Sequence, residues 1–149
     1  MGHDRTVPAD EPPQPTERCP GCGAVLVPLS DGGPFHPGAS ASCARLFDVT
    51  MGGLREDAAV FPATATVVAR ADAAYDAQHP VPGDDERLRA ALDHLGAPPG
   101  AHADGTPGAW RTTIADVAAD LDVIDLTVLV ESWARAVRED WAGSLAVRR

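Results

Sequence analysis

Two cysteines three positions apart, in Cys19-Pro20-Gly21-Cys22-Gly23, constrain this chain more than any other feature. Two thiolates at that spacing grip one ion only if the chain between them turns tightly. Pro20 presets φ for such a turn, and Gly21 and Gly23 let backbone N–H groups approach the sulfurs. Soft, paired thiolates select zinc or an iron–sulfur cluster. A thioredoxin-type redox pair shares the spacing, but it sits where a strand enters a helix. Here the pair follows a proline-rich stretch and precedes no helical pattern, so the reading is a metal knuckle holding one zinc ion.

A CxxC supplies half a tetrahedron. His36 and Cys43 are the nearest candidates for the rest, giving C-x2-C-x13-H-x6-C. A Cys3His set of this kind is closed, as structural zinc sites are. The alternative for Cys43 is a small buried hydrophobe on the first helix.

A second constellation is Asp72, Tyr75, Asp76 and His79. On a helix, Asp72, Asp76 and His79 fall at i, i+4 and i+7 and share a face. A carboxylate beside an imidazole fixes its tautomer, as a metal-bound or proton-transferring histidine requires. His79 is therefore a further candidate ligand, with Asp72 or Asp76 orienting its ring. The plainer reading is a histidine in a last turn, before Pro80, favoured by the negative helix end. That plainer reading also suits His94, while His3 and His102 fall in an expected tail and loop and are assigned nothing.

The 149 residues support one domain with a modest core. The chain has no lysine and no asparagine and only two isoleucines, Ile114 and Ile124. The missing types are those with AT-rich codons, which points to a GC-rich, bacterial genome. The net charge is −10, with the acids dispersed, which argues against nucleic acid and anionic membranes as partners and suits solubility. No apolar stretch reaches the roughly 18 residues that span a bilayer. The first residues, acidic and proline-rich, are no signal peptide. Three cysteines without an export signal favour metal or thiol chemistry over disulfides. A cytoplasmic location is the expectation.

The fold expected is mainly α, a small domain of about four helices with an N-terminal zinc-knuckle-like segment. Residues 1–17 are expected as a disordered tail, 18–143 as one helical metal-binding domain, and 144–149 as a C-terminal tail. A first helix starts at Ser40 or Ser42 and frays near Gly52-Gly53; a second runs from Pro62 to His79, stopped by Pro80. A third follows Gly83, with Asp84 and Asp85 at its positive end. A short turn, Ile114–Ala119, precedes a long helix from about Asp122 to Ala142. Its stripe Leu126, Val130, Trp133, Val137 and Trp141 has the spacing of one buried face, so both tryptophans read as core. No internal repeat appears, and no strand pattern is long enough for a sheet; Ala24–Leu29 reads only as a short extended piece.

Taken together, CPGCG at 19–23, HPGAS at 36–40 with Cys43, and DAAYDAQHP at 72–80 resemble a known set of sequences. These are the uncharacterised bacterial family catalogued as domain of unknown function 5946. Its signature runs CPGCG, a His with GASPGC, D-A-Y-A-x-Q-H-P, and a V-H-L segment. The resemblance covers roughly residues 18–95, with a looser likeness in the WARAVREDW tail. It implies joint roles for Cys19, Cys22, His36, Cys43 and His79. His94 stands at the V-H-L histidine but within Ala-Ala-Leu-Asp-His-Leu, and Ser42 replaces a glycine. The likeness implies a metal site and supplies no reaction.

Three functions fit these residues. The first is a module with structural zinc that binds a protein or small molecule. The second is a small metal-dependent enzyme, with hydrolysis as one option, using His79 with Asp72 and Asp76; no H-E-x-x-H supports it. The third is a thiol redox protein using Cys19 and Cys22.

Overall fold

The computed structural model describes residues 15–29, 36–101 and 105–147. Five helices dominate them, with one two-stranded ribbon at the N-terminal end. The tail expected at 1–17 lies mostly outside the described residues, but Glu17 belongs to the ribbon. β1 (Glu17–Arg18) pairs antiparallel with β2 (Val25–Leu26), Glu17 opposite Leu26 and Arg18 opposite Val25. The knuckle closes the loop between them: Cys19 N donates to the Ala24 carbonyl at 2.9 Å and Gly23 N to the Cys19 carbonyl at 3.0 Å. Gly23 has φ +79°, a conformation for which glycine is the default residue.

α1 (Ala41–Ala58) begins at Ser40, whose hydroxyl accepts from Cys43 N at 3.2 Å. It runs through Gly52 and Gly53 rather than fraying there. Two helical glycines cost about 2 kcal/mol relative to alanine. That cost is met beyond the helix itself: Met51 is fully buried, Leu54 packs on the core, and Arg55 pairs with Asp72 at 2.7 Å while lying over the Phe47 ring.

α2 (Pro62–Gln78) starts with proline in its first turn, and His79 is its C-cap. α3 (Asp85–Leu95) is capped by the Asp84 side chain at one end and by left-handed Gly96 at the other. α4 (Ile114–Ala119) opens on a capping box between Thr113 and Asp116. α5 (Leu126–Val147) starts four residues later than the periodicity suggests. Asp125 accounts for the shift: its carboxylate accepts from Thr127 N at 3.0 Å and its carbonyl from Leu129 N at 3.1 Å. The helix also continues past the boundary expected at 143.

α2 is the central helix, packed against α1, α3 and α5, while α4 touches α1 and α5. Val130, Trp133, Val137 and Trp141 on α5 are completely buried, as their spacing predicts. Both tryptophans also secure the last turn of α2. Trp133 Nε1 donates to Gln78 Oε1 at 3.0 Å, Trp141 Nε1 donates to the Ala77 carbonyl at 3.2 Å, and Gln78 Nε2 donates to the Thr112 carbonyl at 2.6 Å. Among the described residues no buried side-chain nitrogen or oxygen lacks a partner, and no helix is long and apolar enough to cross a membrane.

Truncating Trp133 to alanine removes both this anchor and a large core volume. The loss expected is about 3–5 kcal/mol of unfolding free energy, read from urea denaturation. A change below about 1 kcal/mol would show that α5 does not hold α2 in this way.

Candidate metal centre

Three separate segments deliver the cysteines and a histidine to one place. The knuckle supplies Cys19 and Cys22, the first turn of α1 supplies Cys43, and the end of α2 supplies His79. Their four ligand atoms lie within 4.8 Å of one another, and all four residues are buried. Cys22 Sγ is 3.7 Å from Cys43 Sγ, and Cys43 Sγ is 3.5 Å from His79 Nε2. The cysteines are free, not disulfide-bonded.

Those separations are informative. Tetrahedral zinc bonds of about 2.3 Å to sulfur and about 2.05 Å to nitrogen place two sulfurs about 3.8 Å apart and sulfur and nitrogen about 3.6 Å apart. The Cys22–Cys43 and Cys43–His79 distances match these edges, and the remaining pairs lie within 4.8 Å. The donor set fits too, with three soft sulfurs and one imidazole nitrogen.

The surroundings orient each donor. His79 Nδ1 lies 2.6 Å from the Tyr75 carbonyl oxygen, which can only accept, so Nδ1 carries the proton and Nε2 presents its lone pair to the sulfurs. Tyr75 O–H donates to Cys43 Sγ at 3.4 Å, and Ser40 N to Cys19 Sγ at 3.5 Å. Cys43 lies at the positive end of α1, which favours its thiolate.

Without a cation the thiols share charge unequally. Hydrogen bonding from Cys22, then from Cys43, holds Cys19 well below the ordinary thiol range. The hydrogen bond with Cys19 in turn pushes Cys22 up to about 11, and hydrogen bonds with Cys19 and then Cys22 drive Cys43 higher still, with burial adding to both. Burial, then the contact with Cys43, raises Tyr75, so its hydroxyl stays a donor. A divalent cation among the sulfurs would allow all three to ionise together.

The remaining candidates stand elsewhere. His36 is outside the group of four. Its Nδ1 accepts from Gly38 N at 3.1 Å and its Nε2 donates to Asp76 at 2.9 Å, so neither nitrogen offers a lone pair to a metal. Its ring packs edge-on against Tyr75 and His79. Asp76 thus orients His36, not His79, and also accepts from Arg87 at 3.1 Å. Asp72 is taken by Arg55. The helix-face argument misplaces these carboxylates because α2 ends at Gln78. His79, with φ −128° and ψ 63°, has left the helical register, and its Nδ1 bonds the Tyr75 carbonyl instead. His94 is exposed in the last turn of α3, and His3 and His102 lie outside the described residues.

Two supporting residues escape a reading by spacing. Gln78 is completely buried between Trp133 and Thr112; its place in the Gln-His-Pro run was the available signal. Trp110 donates to the Gly21 carbonyl at 3.0 Å from 89 positions away, and no local pattern announces it.

Gly21 and Gly38 permit the convergence. A Cβ on Gly21 would lie 2.5 Å from the His79 ring and 2.7 Å from the Gln78 carbonyl. One on Gly38 would collide with the His79 carbonyl. No cost of this kind arises at Gly52, where nothing lies within 4 Å.

A model of the Family of unknown function (DUF5946) matches residues 17–98, more than half of the chain. All four residues of the cluster fall within that span. No curated protein and no solved structure matches.

The glycine contacts generate a paired test. Gly38→Ala is expected to weaken metal retention at least tenfold against a competing chelator. Gly52→Ala leaves retention unchanged and gains about 0.5–1 kcal/mol of stability. Equal retention by the two variants would contradict the close approach at Gly38.

Proposed function

The chain belongs to the DUF5946 family, and from its site we propose that it is a zinc-stabilised binding module whose single ion is structural. The observation that carries this reading is the buried set of four ligand atoms within 4.8 Å, drawn from three chain segments. An ion held by Cys19, Cys22, Cys43 and His79 would tie the ribbon to the start of α1 and the end of α2. Its affinity then becomes folding free energy. For a 149-residue chain with this much loop, such a tie supplements a modest core.

A hydrolytic enzyme requires an open coordination position and a free base. Four protein donors complete a tetrahedron, and His36, the nearest imidazole, has both nitrogens engaged. These observations favour the structural role. Against a redox pair, Cys22 also contacts Cys43 at 3.7 Å, and the knuckle leads into a strand rather than a helix.

Elemental analysis is expected to give about one zinc per chain. Stripping the metal under reducing conditions should lower the melting temperature by about 10 °C or more, the shift that about 3 kcal/mol produces in a domain this size. Cys19→Ser, Cys22→Ser, Cys43→Ser and His79→Ala should each lose most of the ion, and His36→Ala should keep it. Identical melting of stripped and loaded protein would rule out a structural ion.

A further inference from the structure

On the side of α2 where α3 and α5 meet, a cleft of about 400 Å³ is lined by Arg70, His94, Glu131, Ala134, Arg135 and Arg138, together with Leu95 and Gly96. It holds three of the twelve basic residues of a chain whose net charge is −10. Within the cleft the balance reverses: three guanidinium groups face one carboxylate. We propose that this cleft binds a small phosphorylated molecule, with the phosphate gripped by Arg135 and Arg138.

Local structure builds the cleft. Glu131, Arg135 and Arg138 follow one another at steps of four and three, so they share a face of α5. Ala134, buried and small, keeps the floor low between them. Arg70 reaches across from α2 and is fixed by Glu131 at 2.6 Å, which neutralises that carboxylate and leaves further N–H groups of Arg70 to donate. Among the described residues neither Arg135 nor Arg138 forms an ion pair; both act on Glu139 only from a distance.

The end of α3 does not need these arginines. Two of its last carbonyls are already served by the backbone, Gly96 N donating to Asp93 and Ala97 N to Leu92, closing the helix on left-handed Gly96. Among the described residues neither Arg135 nor Arg138 bonds a carbonyl of that helix end. His94, exposed at that helix end, adds a donor on the far wall. Planar guanidinium groups match phosphate oxygens bidentately, and the volume exceeds a bare phosphate and suits a small ligand carrying one. The chain's net charge of −10 repels long polyanions, so the fit is to a small molecule rather than to nucleic acid.

The test uses the full zinc-loaded chain, titrated with inorganic phosphate, glucose 6-phosphate and glucose, and followed by amide chemical shifts. Inorganic phosphate and glucose 6-phosphate should both shift resonances of α5 near Arg135 and of Gly96. Tighter binding of the ester is the result expected; equal or weaker binding would assign the free anion and overturn the phosphorylated ligand. Glucose should do nothing. The double variant R135Q/R138Q, altered only at exposed positions, should weaken binding at least tenfold, while R45Q on α1, outside the cleft, should bind as the parent does. The proposal is overturned if neither phosphate compound shifts these resonances, or if R135Q/R138Q binds as tightly as R45Q. Zinc content, measured in the same samples, keeps this result separate from the fate of the metal site.

Discussion

The hydrogen bond between His79 Nδ1 and the Tyr75 carbonyl is the contact on which the rest of the centre depends. At 2.6 Å it fixes the imidazole tautomer and aims Nε2 at the sulfurs. It forms because α2 ends just before His79, freeing that residue from helical register while Tyr75 is still within reach. The helix end is in turn held by buried bonds from Trp133, Trp141 and Gln78. A packed core thus sets the position of one nitrogen atom, and one nitrogen atom decides whether three thiols have a fourth partner.

Polar satisfaction follows the same logic outward. Tyr75 donates to Cys43 and packs its ring flat on Phe47, with centroids 4.1 Å apart. His36 borders that stack and is tied by Asp76, which Arg87 also holds. These groups surround the cluster without joining it. The sulfurs are buried, and the lowered dielectric would strengthen every bond to a metal held there.

Much of this was legible in the sequence because it is local. The knuckle follows from Pro20, Gly21 and Gly23 between and after paired cysteines. The bounds of α2 and α4 follow from Pro62, Pro80 and Thr113, and the buried face of α5 from the spacing of its tryptophans. What stayed hidden is tertiary. α1 crosses Gly52-Gly53 because Met51, Leu54 and Arg55 are held by α2 and the core. α5 starts at Leu126 because Asp125 caps it. The helix-face pattern of Asp72, Asp76 and His79 broke at the helix end, so the carboxylates went to Arg55 and to His36. The basic cleft was invisible for the same reason, its arginines coming from two helices that meet only in the fold.

X-ray absorption at the zinc edge of the purified, reduced protein tests the central claim most directly. A shell of three sulfurs at about 2.3 Å and one nitrogen at about 2.0 Å, with the outer-ring scattering of a single imidazole, is the result expected from Cys19, Cys22, Cys43 and His79. A shell dominated by nitrogen and oxygen, or two sulfurs with two imidazoles, would contradict it.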